Sequence, residues 1–155
     1  MEGTHSSWEQ LSQHYKPPLI KGLTQGPCHP ATNRTLLALR LRDYAAAERQ
    51  ACAALDASPH TPGLYDLRCA IRLFRRDHEG ALEDARSATS LDPGAGRAWA
   101  CLGAAQLGLG HPRAALSAFQ HALALEPGDR LAGEGRALAE TALQAQPGRR
   151  EAVLE

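Results

Sequence analysis

The sequence predicts an all-α chain, an α-solenoid in which three helix-turn-helix hairpins stack and one further helix closes the C-terminal end. Three observations lead there. First, residues recur in phase at an interval of 34: Pro59, Pro93 and Pro127; Ala54, Ala88 and Ala122; Ala47, Ala81 and Ala115; Ala31, Tyr65 and Trp99; Thr35, Cys69 and Gly103. Such a period marks units that bury their apolar faces only by stacking on one another. Second, apolar residues inside each unit return at helical spacing and are cut by Gly or Pro into two runs. Third, alanine and leucine are abundant while aromatic residues make up only 5% of the chain, a composition that favours helix.

The elements follow in order. In the leader, residues 1–27, Trp8, Leu11 and Tyr15 lie at i, i+3 and i+7. This spacing predicts a short helix that helps to cover the first hairpin, with a flexible leader as the alternative. Helices are then expected at about 30–41 and 44–57, parted by Arg42-Asp43-Tyr44 and stopped at Ser58-Pro59. The second pair is expected at 62–75 and 78–91, closed by Pro93-Gly94, and the third at 95–108 and 112–125. Between the last two, Gly110 can take a left-handed helix-terminal conformation and Pro112 suits a first helical turn. Proline cannot donate a backbone hydrogen bond, so Pro127 ends that pair. A last helix at 129–146 carries Leu131, Ala132, Leu138, Ala139, Ala142 and Leu143 on one side, and residues 147–155 form a tail. Links this short make neighbouring helices antiparallel. Where two helices of a hairpin cross, Ala47, Ala81 and Ala115, with Gly103 opposite, permit close approach, while Tyr65, Trp99 and Phe119 fill the space between hairpins.

These residues carry a resemblance. Trp99-x-x-Leu102-Gly103, then Ala115, Phe119, Ala122 and Pro127, resembles the tetratricopeptide repeat. Tyr65-x-x-Arg68-Cys69, with Glu79-Gly80-Ala81-Leu82-Glu83-Asp84-Ala85 and Leu91-Asp92-Pro93, is similar to its other common variant. The resemblance implies repeats at about 28–61, 62–95 and 96–129 and a solvating helix at 129–146, together a domain spanning 28–146. Two departures stand out: Gln106 occupies a position where the family usually has Tyr, and Ala31 replaces the aromatic residue of the first copy.

Composition bounds the function. The chain has 155 residues, the size of one domain, and 17 basic against 17 acidic side chains. A net charge of zero argues against a nucleic-acid partner. Cys28, Cys52, Cys69 and Cys101 form no C-x-x-C pair and read as reduced thiols acting as small hydrophobes. The N-terminus lacks the basic start and apolar run of a signal peptide, and no stretch approaches a membrane span, so a cytoplasmic chain without membrane contact is expected. The seven histidines show no ligand spacing, no Gly-rich phosphate loop or G-x-S-x-G turn occurs, and the Asn33-Arg34-Thr35 sequon falls in a helix. No catalysis, cofactor or metal is expected.

Binding is therefore the expected function. Stacked hairpins form a superhelix whose inner face is lined by the first helix of each pair. Helical phase assigns to that face His29, Thr32, Asn33, Leu36, Arg40, Asp66, Ala70, Phe74, Arg97, Ala100, Ala104 and Leu138. Arg40 and Arg97 offer carboxylate-binding forks, Phe74 an apolar anchor, and Asp66 gives the face mixed charge. One subfamily holds the acidic C-terminal tails of cytosolic chaperones with Lys, Asn and Arg. The matching positions are Thr32, Leu36, Leu67, Arg97 and Cys101, of which only Arg97 is basic, so such a tail is not an expected partner. The reading is an adaptor that holds a peptide or helix of another protein in the concave groove. The alternatives are a structural or self-association module using the outer surface, or a piece of a larger repeat array.

Overall fold

The computed structural model describes residues 30–145, and among them every regular element is an α-helix. Seven helices run in order: α1 Pro30–Arg40, α2 Tyr44–Ala57, α3 Pro62–Phe74, α4 His78–Leu91, α5 Gly96–Gly108, α6 Pro112–Leu125 and α7 Arg130–Gln144. Their ends lie within a residue or two of the sequence expectation. Trp8, Leu11, Tyr15, Cys28, His29 and the tail lie outside the described residues. No helix among those described is long and apolar enough to cross a membrane.

The helices pair as α1 with α2, α3 with α4, and α5 with α6, and each hairpin packs on the next through α2–α3 and α4–α5. The first helices α3 and α5 also touch, and α7 packs on both α5 and α6. This is an α-solenoid, and α7 stands where a fourth first helix would.

The repeat extends to backbone detail. Arg42, Arg76 and Gly110 occupy the same repeat position, and all three adopt positive φ, at 57°, 62° and 79°. Each lies just past the end of a first helix, where the chain returns a hydrogen bond to the last turn: Asp43 N–H to the Ala38 carbonyl, Asp77 to Arg72, and His111 to Gln106, all at 2.9 Å. Left-handed backbone is the usual way to satisfy these end carbonyls. One residue later Asp43 and Asp77 cap α2 and α4, accepting from the Ala46 and Gly80 N–H groups. At the third equivalent His111 gives no side-chain cap, and Pro112 begins α6 instead, removing one donor that would need a partner.

The aromatic column also repeats its contact. The Tyr65 hydroxyl donates to the Pro59 carbonyl at 3.1 Å, and the Trp99 indole N–H donates to the Pro93 carbonyl at 2.9 Å. Each ring thereby ties the start of a hairpin to the turn that precedes it. The prolines that end the second helices and the aromatics that open the next hairpin form one joint, which explains why they share a period.

Packing between the helices of a hairpin depends on matched sizes. Ala47, Ala81 and Ala115 are fully buried. Gly103 faces the ring of Phe119, and a Cβ on Gly103 would meet that ring at 2.8 Å. In the second repeat the equivalent positions hold Cys69 and Ala85, both buried in one cluster. A small-plus-large pair thus replaces two intermediate side chains.

Candidate functional site

The expected inner lining falls on α1, α3 and α5, and its members differ sharply in accessibility. Arg40, the last residue of α1, is exposed, and Arg97, in the first turn of α5, is half-buried. Ala70 and Ala104 are closed off, at 2% and 1% exposure, and the Ala100 side chain is buried with them. These alanines make a floor and offer almost no surface of their own. Asn33 lies in α1, but its side chain, like those of Thr32 and Leu36, is outside the described residues, as is His29. Phe74 ends α3 and is half-buried, with one ring face stacked on Tyr44 at 5.3 Å between centroids. It is part of a two-ring plate instead of a free anchor.

Asp66 is the unusual member. It sits on α3 with only 8% exposure, and its Oδ1 has no hydrogen-bond partner. Burial pushes its carboxyl up to about 6; the Arg97 guanidinium pulls the other way, and the nearby Asp92 carboxylate adds to the rise. The structure therefore couples two of the expected lining residues, Asp66 and Arg97, across adjacent first helices.

This shift has a stability consequence. The folded carboxyl holds its proton up to about pH 6, whereas the unfolded one releases it near 3.8. Between these values the folded state binds more protons, so its stability falls as pH rises through the window and the full deficit persists above it. A shift of this size corresponds to about 3 kcal/mol. Asp66→Asn keeps the shape and removes the charge. Its melting temperature is expected to exceed that of the parent chain at pH 7.5, with the advantage shrinking towards pH 4 in parallel thermal melts. A variant that melts lower at pH 7.5 would mean that Arg97 outweighs the burial cost.

Sequence reasoning missed a second polar cluster. Asp84 on α4 is only 2% exposed and accepts from Arg68 at 2.7 Å and from Arg72 at 3.1 Å. Arg72 also reaches Glu48 on α2 at 3.0 Å and the Gly80 carbonyl at 3.1 Å, and Arg75 pairs with the same Glu48. Arg68 further contacts the Cys52 Sγ at 3.5 Å and lies over the Tyr65 ring. The hydrogen bonds to Asp84 raise the Arg68 pKa further, so it stays charged. One buried carboxylate thus joins α3 to α4, and Arg72 carries the link to α2. The signal was available: Asp84 lies between Ala81, Ala85 and Ala88 on the inward stripe, where a charge needs a partner. The cluster braces the hairpins and leaves the inner face to other residues.

Cys52, Cys69 and Cys101 are free thiols, and the last two are fully buried. Hydrogen bonding to Cys101, together with burial, pushes the Cys69 thiol well above its ordinary value. It packs as a protonated, small apolar side chain. On the outer side, a hollow of ≈ 440 Å³ is lined by Glu48, Arg49, Cys52, Asp56 and Arg75 with Ala45 and Ala53.

Comparison with known proteins agrees with this fold. A family profile described as tetratricopeptide repeat matches residues 96–129. The chain is 29% identical over 100 residues to the small glutamine-rich tetratricopeptide repeat-containing protein 2 of Mycosarcoma maydis, covering 64% of this chain and 28% of that protein. It is 31% identical over 126 residues to mouse tetratricopeptide repeat protein 33, covering 81% of this chain and 48% of the other. The chain therefore spans less than half the length of these curated relatives. Among solved structures it is similar to the first such domain of Spaghetti (RPAP3) bound to the HSP90 peptide SRMEEVD. The TM-score is 0.70 at 22% identity, covering 74% of this chain and 90% of that one.

Proposed function

Since the chain is a tetratricopeptide-repeat protein, we propose that it is a non-catalytic adaptor of the cytoplasm that holds a peptide or helix of a partner protein in its concave groove. The observation that carries this reading is the character of the inner layer. First helices α3 and α5 touch, the alanines Ala70, Ala100 and Ala104 on them are sealed, and Arg97 on α5 and Arg40 at the end of α1 remain accessible. An apolar floor with a few charged groups beside it suits an extended or helical segment, because the apolar contact supplies area and the charges supply register. A solved domain of similar fold is bound to a short peptide, which is in keeping with this reading.

The partner is not an acidic chaperone tail in this reading. Among the positions matching the carboxylate clamp, Leu67 and Cys101 are fully buried and apolar, and Arg97 alone brings positive charge. Nucleic acid and membrane are not partners either. The outer-surface alternative has one supporting feature, the hollow beside Cys52 and Arg75. Proximity labelling in cells separates the two. Proteins labelled by the parent chain are expected to lose at least tenfold in enrichment with Arg40→Glu plus Arg97→Glu, and to be unaffected by Arg49→Glu. The opposite pattern would move the contact to the outer face.

A further inference from the structure

Among the described residues two aspartates are buried, and their surroundings are opposite. Asp84 accepts from two guanidinium groups, those of Arg68 and Arg72. Asp66 is 8% exposed, yet its Oδ1 accepts no hydrogen bond. Arg97 acts on it through charge alone, and Asp92, at the end of α4, acts as a like charge. A buried carboxylate without a partner costs stability. The packing of this layer does not call for one: at the same repeat position α5 carries Ala100, which is buried as well. Groups kept at such a cost concentrate at functional sites.

The direction of the side chain fits a binding role. Arg68 and Arg75 leave α3 about 180–200° around the helix axis from Asp66, and they pair with Asp84 of α4 and Glu48 of α2. Asp66 is therefore turned away from the second helices. It stands one turn before the sealed Ala70, on the inner side of the stack.

We infer that Asp66 receives a lysine or arginine side chain of the partner segment held in the groove; this rests on the adaptor reading above and names the residue class that the groove selects. Above about pH 6 the carboxyl is ionised. A charge-assisted hydrogen bond from a cation offsets the burial of that charge, whereas a neutral amide leaves it uncompensated. Arg97, half-buried on the next first helix, offers its fork to a carboxylate of the same segment. The matching segment therefore sets a basic residue close to an acidic one. A uniformly acidic segment meets Asp66 as a like charge, and a uniformly basic one meets Arg97.

Peptide selection on the full chain tests this. The probe is a phage-displayed library of random dodecapeptides. Groove peptides are those whose binding in fluorescence polarisation weakens about tenfold with Arg40→Glu plus Arg97→Glu. They are expected to align on one Lys or Arg. Replacing that residue by Gln should weaken binding to the parent chain about tenfold and leave binding to Asp66→Asn unchanged, because both changes remove the same contact. Should Asp66→Asn melt below the parent chain, Asp66→Ala, which copies the third repeat, makes the same comparison. Groove peptides with no shared basic residue, or a Gln replacement that costs the same in both chains, overturn the proposal and leave the groove in place. A library that yields no groove peptides removes the adaptor reading itself, and the role of Asp66 falls with it.

Discussion

Asp84→Ala is expected to cost about 3–5 kcal/mol, the usual penalty when one partner of a buried ion cluster is removed. The reason is what remains behind. Arg68 and Arg72 are 19% and 18% exposed, and both direct their guanidinium groups at Asp84. Without the carboxylate, two cations stand close together in a partly dry space. Arg72 retains Glu48, but Arg68 keeps only the Cys52 sulfur, a weak acceptor, and the face of the Tyr65 ring. Folded domains hold only about 5–15 kcal/mol in reserve, so the loss is a large share of the total. Guanidinium denaturation followed by circular dichroism measures it. Because α2, α3 and α4 all meet at this cluster, the transition is also expected to broaden, as coupling between hairpins weakens. A companion chain carrying Arg68→Leu, Arg72→Met and Asp84→Leu should recover most of the stability, because no unpaired charge is left. A cost below about 1 kcal/mol for Asp84→Ala would place the cluster in effective contact with water.

The contrast between this cluster and the repeat columns explains what the sequence could reveal. The 34-residue period located all seven described helices to within two residues, because each boundary has a local chemical cause: Asp43 and Asp77 at caps, Gly110 in a left-handed turn, Pro62 and Pro112 in first turns. Periodicity also marked which face of each helix turns inward. It could not say what a charged residue on that face would meet. Arg72 and Asp84 belong to different helices, and Glu48 to a third, so their meeting is set by how hairpins stack. The same limit applies to the groove. Helical phase put Asp66, Ala70, Arg97 and Ala104 on one layer, but it could not show that the alanines are sealed, that Phe74 is committed to Tyr44, or that Asp66 is left with an unpartnered oxygen. Exposure depends on neighbours distant in sequence, and a single sequence carries little information about them.

Phe119→Ala is expected to destabilise by about 3–5 kcal/mol, the cost of emptying a large, fully enclosed site. Phe119 is fully buried, and its ring lies between two glycines on different helices. A Cβ on Gly103 of α5 would stand 2.8 Å from the ring, and one on Gly135 of α7 only 2.3 Å from its Cζ. The ring thus joins the third hairpin to the capping helix, and α7 can approach α6 only because residue 135 has no side chain. Truncation leaves a cavity shared by three helices, none of which can close in without breaking its contact with the others, so relaxation recovers little. The converse substitution is the sharper test. Gly135→Ala forces a methyl group into a ring that Gly103 backs from the other side, and overpacking of this kind costs about 1–3 kcal/mol. In a Phe119→Leu background the shorter side chain leaves room, and the same Gly135→Ala change is expected to cost less than half as much. Chemical denaturation of the four chains in that cycle gives the coupling between positions 119 and 135 directly. Strict additivity would mean that α7 is held by its rim leucines, Leu131 and Leu138, with the ring contributing only volume.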